Sequence, residues 1–438
     1  MTTFRPISIS LSPNTERNDI YLALKLIFSA LGKPASGGKP WKNGSAIKKL
    51  EENFKQYFKV KYTISFNSGR SALLAILESL NLKPGDEVLL QAFTCNAVSN
   101  PILWSRLSRS QENFDKQAEL KPVYVDCNKE TFNIDIKDLK RKITSRSRVI
   151  IVQHTFGLPV DIKEILEICK KNNLILIEDC AHSLGAEYKN KKVGTFGKAA
   201  FFSFSRDKVI SSVYGGIAIT NDNNLAEKIK DFQKKAGFPS NLWIFQQLLH
   251  PILLNFFILP TYSLLRLGKT SLKLFQWLHI LSKAVHWKEK RSQKPNYFPK
   301  ALPNALAVLA HFQLQKLEKF NNHRKKLANF YFSNLKNTSF ELPKVFPDRK
   351  HIFLRFPIRH PKAHQIIKKA WRKNILIGDW YDIPIAPKDT RLDKMQYQPG
   401  SCEKAEKLAE TTFNLPTHIN ISQSDAQKVI DFLKTYES

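Results

Sequence analysis

A lysine and an aspartate at the ends of two apolar runs are the residues of this chain best suited to chemistry. Lys208 follows the aromatic run at 201–204, and Asp179 ends the apolar run at 175–178. If both runs are neighbouring strands, the two side chains face one crevice. An amine held there loses hydration, so its pKa falls and it can attack an aldehyde. The carboxylate can keep a heteroaromatic nitrogen protonated. Pyridoxal phosphate (PLP) needs both groups. The alternative is a surface lysine and a turn aspartate.

A turn of small residues at 67–71 supplies a second chemical feature. It joins a predicted strand at 62–66 to a helical run at 72–80. A helix N-terminus presents free backbone N–H groups and the positive end of a dipole, which together bind phosphate. Gly69 permits close backbone approach, and Arg70 and Ser71 add donors. An ordinary capped turn is the alternative interpretation.

The elements that must position these residues alternate short β-rich runs with amphipathic helices. This alternation predicts an α/β domain with a largely parallel sheet, in which ligands bind beyond the carboxyl ends of the strands. Gly69, Phe93, His154, Asp179 and Lys208 all fall at predicted strand ends, which favours one shared site. Phe93 either covers the face of a flat cofactor ring or belongs to the core.

Two further side chains are predicted near this site, each with a structural alternative. His182 lies three residues after Asp179 and either contacts the cofactor or is a buried structural histidine. Ser203 precedes Lys208 closely enough to give a second phosphate donor. Trp380 and Tyr381, in the C-terminal part, either stack on a sugar or nucleotide or pack in the core.

The bulk properties restrict the class of protein. The chain has 438 residues, enough for two or three domains, and a formal net charge of +31. The positive charge favours anionic ligands or an anionic membrane surface. Because no nucleic-acid-binding motif is visible, we expect no nucleic acid partner. Five cysteines without a CxxC pair indicate a reducing, cytoplasmic setting, and we expect no metal site.

An ordered set of motifs resembles the DegT/DnrJ/EryC1/StrS family of PLP-dependent sugar aminotransferases. The matching segments lie at 67–73 (Asn-Ser-Gly-Arg-Ser-Ala-Leu), 85–88 and 93–94, 122–126, 154–157, 178–185 (Glu-Asp-Cys-Ala-His-Ser-Leu-Gly), 203–208 (Ser-Phe-Ser-Arg-Asp-Lys) with 215–216, and 414–418. The resemblance covers most of residues 40–237 and, more loosely, 300–438.

This resemblance implies a type I aminotransferase fold, usually found as a homodimer with active sites at the subunit interface. It implies that Lys208 forms the Schiff base with PLP and carries protons, and that Asp179 holds the pyridine nitrogen protonated. The other implied cofactor-binding residues are Ser68, Gly69, Arg70, Phe93, Cys95, His182 and Ser203. The expected reaction moves an amino group from a donor such as glutamate to a keto carbon of a nucleotide-linked sugar.

Three departures from the family pattern stand out. Arg70 replaces a frequent threonine, and Cys95 replaces a frequent ring-stacking aromatic residue. The family segment that reaches across the dimer has no clean match before residues 302–305. The alternatives to transamination are a sugar dehydratase or another PLP enzyme, and a non-catalytic, membrane-associated regulator. The dehydratases of this family carry histidine in place of lysine, so Lys208 argues against that branch.

A hydrophobic segment interrupts the family pattern. Residues 236–265 contain no Asp, Glu, Lys or Arg, but Pro239, Pro251 and Pro260 break the run. The tryptophans and basic residues of this segment are typical of segments that bind an anionic cytoplasmic leaflet. The segment therefore predicts a helical insertion that dips into the inner face of the cell membrane; the alternative is a subdomain packed on the enzyme or its dimer mate.

These observations give four segments. They are an N-terminal arm at 1–45, a large PLP-binding domain at 46–237, the insertion at 238–292 and a small α/β domain at 293–438. Within the last of them, apolar periodicity predicts one long helix at 305–331 and a strand at 352–358.

Overall fold

A seven-stranded sheet forms the centre of the computed structural model, which describes residues 5–31, 41–105 and 120–436. One strand, Gly216–Thr220, is antiparallel to both of its neighbours, and the other pairs are parallel. The strands lie side by side in the order β2 (Tyr62–Phe66), β11 (Gly216–Thr220), β10 (Ala199–Ser203), β7 (Ile175–Asp179), β6 (Ser147–Gln153), β3 (Glu87–Gln91) and β5 (Lys121–Val125).

Helices cover both faces of this sheet, so its strands are apolar on both sides. Leu89 and Ile150 belong to one buried cluster, whereas the next residues, Leu90 and Ile151, belong to the other. The helices up to residue 236 are α1 (Arg17–Leu31), α2 (Ser45–Phe58), α3 (Gly69–Glu78), α4 (Asn96–Trp104), α5 (Ile136–Lys142), α6 (Ile162–Asn172) and α7 (Asn223–Ala236). Residues 1–4 and 32–40 of the predicted arm lie outside the described residues.

The C-terminal part forms its own buried cluster around a two-stranded antiparallel sheet. That sheet pairs β13 (Phe356–Arg359) with β16 (Thr412–Leu415). The helices here are α11 (Leu317–Leu335), α12 (Ala363–Arg372), α13 (Glu403–Thr411) and α14 (Gln423–Lys434).

Short strands tie distant parts of the chain together. β1 (Ile7–Ser8) pairs with β14 (Ile375–Leu376), and β4 (Thr94–Cys95) pairs with β15 (Ile385–Ala386). A third sheet contains β8 (Glu187–Tyr188), β9 (Lys191–Lys192) and β12 (Arg349–Lys350). The β4–β15 pair matters for function because it brings C-terminal residues against the predicted site.

The long helix predicted over 305–331 is wrong, because the structure has α10 (Asn304–Leu314) and then α11. The buried Gln313 side chain bonds two other segments at this break, since it accepts from the Ser211 N–H and donates to the Asn14 carbonyl. Lys316 pairs with Glu16 and Asp19. No Gly or Pro marks the break, so the apolar periodicity runs across it unchanged.

The strand predicted over 352–358 is also wrong in its first half. Only Phe356–Arg359 forms a strand. The N–H groups of Ile352 and Leu354 donate to the carbonyls of Gly157 and Phe156 instead. This stretch therefore closes over the 154–157 loop rather than extending the small sheet.

The predicted insertion is helical and bent. It contains α8 (Asn241–Leu253), a π-helical turn (Leu254–Ile258), α9 (Leu267–Trp277) and a 3₁₀ turn (Glu289–Arg291). Leu254, Ile258, Tyr262 and Leu281 form a small core against Leu11 and Leu376. Across the described part of the chain, no helix combines the length and apolar character needed to span a bilayer.

Candidate active site

A cavity of about 160 Å³ lies beyond the carboxyl ends of the central strands. Gln153 ends β6, Asp179 ends β7 and Ser203 ends β10, and all three line the cavity. Lys208, in the loop after β10, lines it too. The structure therefore brings Asp179, Lys208 and the 67–71 turn to one site, as the alternation of strands and helices predicts.

The Lys208 amine points into this cavity. Its Nζ lies 3.0 Å from His182 Nε2 and 4.6 Å from the centre of the Trp380 ring. Burial lowers the pKa of Lys208, and the nearby Arg355 charge acts in the same direction, against Asp207, Cys95 and Asp179. A neutral amine with an available lone pair is the form that attacks an aldehyde.

His182 is held in one tautomer. The backbone N–H of Phe156 donates to its Nδ1 at 3.3 Å, so Nε2 carries the ring hydrogen and faces Lys208. Burial lowers the pKa of His182 well below its ordinary value, and the Lys208 and Arg355 charges add to this. A neutral imidazole that donates to Lys208 favours the uncharged amine.

Asp179 is a buried carboxyl with a raised pKa. Burial raises the pKa to about 6, although the Ala181 N–H, Lys208 and His154 oppose the shift. The described hydrogen bond to its Oδ1 comes from the Ala181 N–H at 2.9 Å. The site is therefore suited to a cationic ligand group next to this carboxylate.

The 67–71 turn caps helix α3. Ser68 is the N-cap, and its side chain accepts from the Ser71 N–H at 3.0 Å. The first N–H groups of a helix have no partner inside it, which leaves the amides of Gly69 and Arg70 for a ligand. A Cβ on Gly216 would lie 2.4 Å from the Gly69 nitrogen, and one on Gly69 would lie 3.1 Å from the Ser203 Cβ. Glycine at 216 is thus required for β11 to approach this turn.

Arg70 lines the cavity, but its guanidinium is already engaged. Nη1 forms an ion pair with Glu289, which is fully buried, and Nη2 donates to the Ala284 carbonyl at 3.0 Å. The expectation that this guanidinium is a free phosphate donor is therefore corrected: the inserted segment holds it, and the backbone amide of Arg70 remains as the donor.

Three of the predicted residues do not face the cavity. Of the described residues, neither Ser68 nor Phe93 lines the cavity. Phe93 packs against Phe132 and Tyr381 in the core. His154 points to the opposite face of the sheet from Gln153, because successive side chains alternate, and its Nε2 lies 3.3 Å from Glu178.

Cys95, Trp380 and Tyr381 do line the cavity. Cys95 lies on its wall, and burial raises the pKa of the thiol. Trp380 stacks on His182 with ring centres 5.1 Å apart. Tyr381 lines the cavity and also packs on Phe93.

Sequence reasoning missed a charged pair behind Trp380. The Arg355 guanidinium carbon lies 3.2 Å from the centre of the Trp380 ring, and Nη2 donates to Asp207 at 3.0 Å. Ala284 and Val285 of the insertion were also missed, although they form part of the wall. Asp207 lies next to Lys208 in sequence and was the one available signal.

Comparison with known proteins decides the family. The sequence profile of the DegT/DnrJ/EryC1/StrS aminotransferase family matches residues 33–243 and 282–434. The chain belongs to this family. The unmatched residues, 244–281, fall inside the predicted insertion, so this segment is additional to the family's common sequence.

Relatives within this aminotransferase family differ in how much of the chain they match. The chain is 34% identical over 190 residues to GDP-perosamine synthase of Escherichia coli O157:H7, covering 43% of this chain and 49% of the relative. It is 27% identical over 394 residues to dTDP-3-amino-3,6-dideoxy-alpha-D-galactopyranose transaminase of Aneurinibacillus thermoaerophilus, covering 90% of each. The chain thus spans about half the length of the curated relatives that it matches at 34–41% identity.

The fold agrees with solved structures of the family. PseC of Helicobacter pylori, an aminotransferase involved in the biosynthesis of pseudoaminic acid, superposes with a TM-score of 0.72 at 23% identity, covering 99% of this chain and 100% of that chain. The predicted type I PLP-dependent aminotransferase fold is confirmed.

The residues present fit PLP. The cavity offers an amine with a lowered pKa at Lys208 for the aldehyde, a buried carboxyl at Asp179 for the ring nitrogen, and backbone amides at Gly69 and Arg70 for the phosphate. The close approach of Gly216 and Ser203 to Gly69 makes a cradle at the phosphate end.

Proposed function

We propose that this enzyme transfers an amino group from an amino acid such as glutamate to a keto carbon of a nucleotide-linked sugar. The observation that carries this proposal is the cavity shared by Lys208, Asp179 and the amides of the 67–71 turn. The names of GDP-perosamine synthase and the dTDP-aminosugar transaminase support a nucleotide-linked sugar as substrate. Synthesis of amino sugars for surface glycans is the expected role.

Each residue has a distinct task in this proposal. PLP, when bound, withdraws electrons from the carbon that exchanges its amino group. Lys208 moves the proton at that carbon, because burial and His182 favour its neutral form. Asp179 keeps the ring nitrogen protonated. Trp380 and His182 stack beside Lys208 and limit the access of water.

The test is reconstitution with PLP followed by glutamate. We expect the wild type to gain the visible absorbance of lysine-bound PLP and to convert to the pyridoxamine form with glutamate. Lys208→Ala should lose both, whereas Lys137→Ala, an exposed control, should lose neither. A wild type that never binds PLP would favour the regulator, and a wild type that binds PLP but does not convert would favour a dehydratase.

We also propose that the insertion attaches the enzyme to the anionic inner face of the cell membrane. Several large apolar side chains on the insertion are exposed, with Phe256 at 66% and Leu265 at 94%. Segment 238–292 carries seven Lys or Arg and a single acid, Glu289. An apolar face rimmed by cations suits the boundary between headgroups and acyl chains.

Flotation with liposomes tests the membrane proposal. We expect the wild type to float with vesicles containing phosphatidylglycerol and to float far less with pure phosphatidylcholine. Phe256→Glu/Leu265→Glu should abolish flotation, because both side chains are exposed and their replacement removes no buried contact. Val345→Glu, at another exposed apolar residue, is the control. Equal flotation of the two variants would overturn membrane attachment through this face.

The final element of this proposal is a homodimer, as the family resemblance implies. Light scattering coupled to gel filtration should give twice the chain mass for the wild type. If Phe256→Glu/Leu265→Glu converts the dimer to a monomer, the exposed apolar face is an interface between copies and the membrane proposal fails.

A further inference from the structure

A cleft lined by aromatic residues lies in the insertion, apart from the cofactor cavity. Its volume is about 770 Å³, within the range of roughly 300–1,000 Å³ that is usual for ligand clefts. Its walls come from α8 and from residues 276–287, with Tyr297. The side chains that define it here are Trp243, Phe245, Leu249, Trp277, Ile280 and Trp287.

One short segment separates this aromatic cleft from the cofactor cavity. Ser282, Lys283 and His286 line the cleft, whereas Ala284 and Val285 line the cavity. Neighbouring elements fix the segment in place. Tyr214 donates from its hydroxyl to the Lys283 carbonyl at 2.6 Å, and the Ala284 carbonyl accepts from Arg70. A ligand in the cleft therefore contacts the segment that also bounds the active site.

The polar side chains of the cleft are largely engaged with the protein. The Ser240 hydroxyl caps α8, Gln246 donates to the His279 carbonyl, and Ser282 donates to Gln247 at 2.6 Å. The edges of a nucleotide base need free hydrogen-bonding partners. A hydrocarbon chain needs none, so the cleft is better matched to a chain than to a base.

Charge and position indicate where such a chain comes from. Of the described residues, Lys283 lines the cleft and no acid does. Glu289, the single acid of segment 238–292, is paired with Arg70. Leu242 and Trp277, which line the cleft, are 78% and 73% exposed, so apolar side chains reach the surface at its rim. A chain that enters the cleft from an anionic membrane surface contacts its apolar walls, while the exposed Lys283 stays at the surface beside the headgroup.

We propose that the aromatic cleft binds one hydrocarbon chain of an anionic membrane lipid, with Lys283 near its headgroup. This inference rests on the proposed membrane attachment and adds a defined lipid site to it. The occupied cleft then supports the 282–286 segment from the side opposite the cofactor cavity.

Binding of a monomeric lipid tests the site without a membrane. The probe is oleoyl lysophosphatidylglycerol below its micelle concentration, followed through tryptophan fluorescence of the PLP-loaded protein. We expect saturable binding of one molecule, at least tenfold weaker binding of oleoyl lysophosphatidylcholine, and no response to glycerophosphoglycerol. Ile280→Asp should weaken lysophosphatidylglycerol binding at least tenfold, while Leu265→Asp, outside the cleft, should leave it unchanged.

Two results would overturn the lipid site. Equal binding by Ile280→Asp and the wild type would place the chain elsewhere, and a saturable response to dTMP that Ile280→Asp removes would make the cleft a base site. Trp277→Ala is a second variant for the case that Ile280→Asp misfolds, and it should also weaken binding. The glutamate half-reaction, run on the same samples, separates these outcomes from a failure of the aminotransferase proposal, because it needs neither lipid nor sugar.

Discussion

Glu289→Gln is the substitution that most directly tests the contact between the insertion and the active site. Glu289 is fully buried, forms an ion pair with Arg70 and accepts from the His286 N–H at 2.8 Å. Burial raises the pKa of Glu289, and the Arg70 charge opposes the shift. Glutamine keeps the size of the side chain but leaves the Arg70 cation buried without a counter-charge. Removing one partner of a buried ion pair costs about 3–5 kcal/mol.

This cost converts into a measurable shift in melting temperature. The entropy of unfolding is about 2.1 cal/mol/K per residue, which gives roughly 0.9 kcal/mol/K for 438 residues. We therefore expect Glu289→Gln to lower the Tm of the apoprotein by about 3–5 °C, measured by scanning calorimetry. Lys290→Gln is the matched control, because its partner Asp389 is exposed, and it should change the Tm by less than about 1 °C.

A double-mutant cycle completes this test. Arg70→Gln/Glu289→Gln removes both charges, so its Tm should lie well above the value expected from adding the two single effects. Two results would show that the ion pair does not stabilise the protein. One is a Tm of Glu289→Gln within 1 °C of the wild type. The other is a decrease in the Tm of the double variant as large as the sum of the decreases in the two single variants.

Three further predictions concern neighbouring acids and the helix break. Because burial raises the pKa of Asp179 to about 6 from 3.8, its contribution to stability is full below pH 4 and is lost as the pH rises through 6. The Tm of apoprotein Asp179→Asn, relative to the wild type, should therefore increase by about 2 °C between pH 4.5 and 7; a difference independent of pH would contradict this. Glu178→Gln should lower the Tm by about 2–4 °C, since Glu178 accepts from three backbone N–H groups, while leaving the glutamate half-reaction intact. Gln313→Ala should lower the Tm by about 2–3 °C, because it leaves the Ser211 N–H and the Asn14 carbonyl without their hydrogen-bond partner at the α10–α11 break. An unchanged Tm would show that these hydrogen bonds do not stabilise the break.

The sequence was sufficient to bring Asp179 and Lys208 together, because alternating strands and helices place the ends of parallel strands at one edge. It was insufficient at the next level of detail. Gln153 and His154 end the same strand, but only Gln153 faces the cavity. A strand that is buried on both faces has apolar residues on each side, so its hydrophobic pattern does not indicate which side chain at its end faces the cavity.

The role of Arg70 shows a different limit. A cation at a helix N-terminus beside a predicted phosphate site indicates a hydrogen-bond donor to the phosphate. Its partner Glu289 lies 219 residues away and belongs to a segment that the family profile leaves only partly matched. Long-range pairing of this kind has no local signature, and the same holds for Arg355 behind Trp380.

The insertion packs on the protein through one set of residues and exposes another. Its inner residues, such as Leu254 and Ile258, pack on the protein, whereas Leu265 is almost fully exposed. This division decides how the segment has to be studied. Deleting 238–292 would remove Glu289, leave Arg70 as a buried unpaired charge and take Ala284 and Val285 from the cavity wall. Such a protein would lose PLP binding and membrane binding together, whatever the insertion does. Only substitutions on the exposed face, which leave the Arg70–Glu289 pair in place, can separate attachment from catalysis.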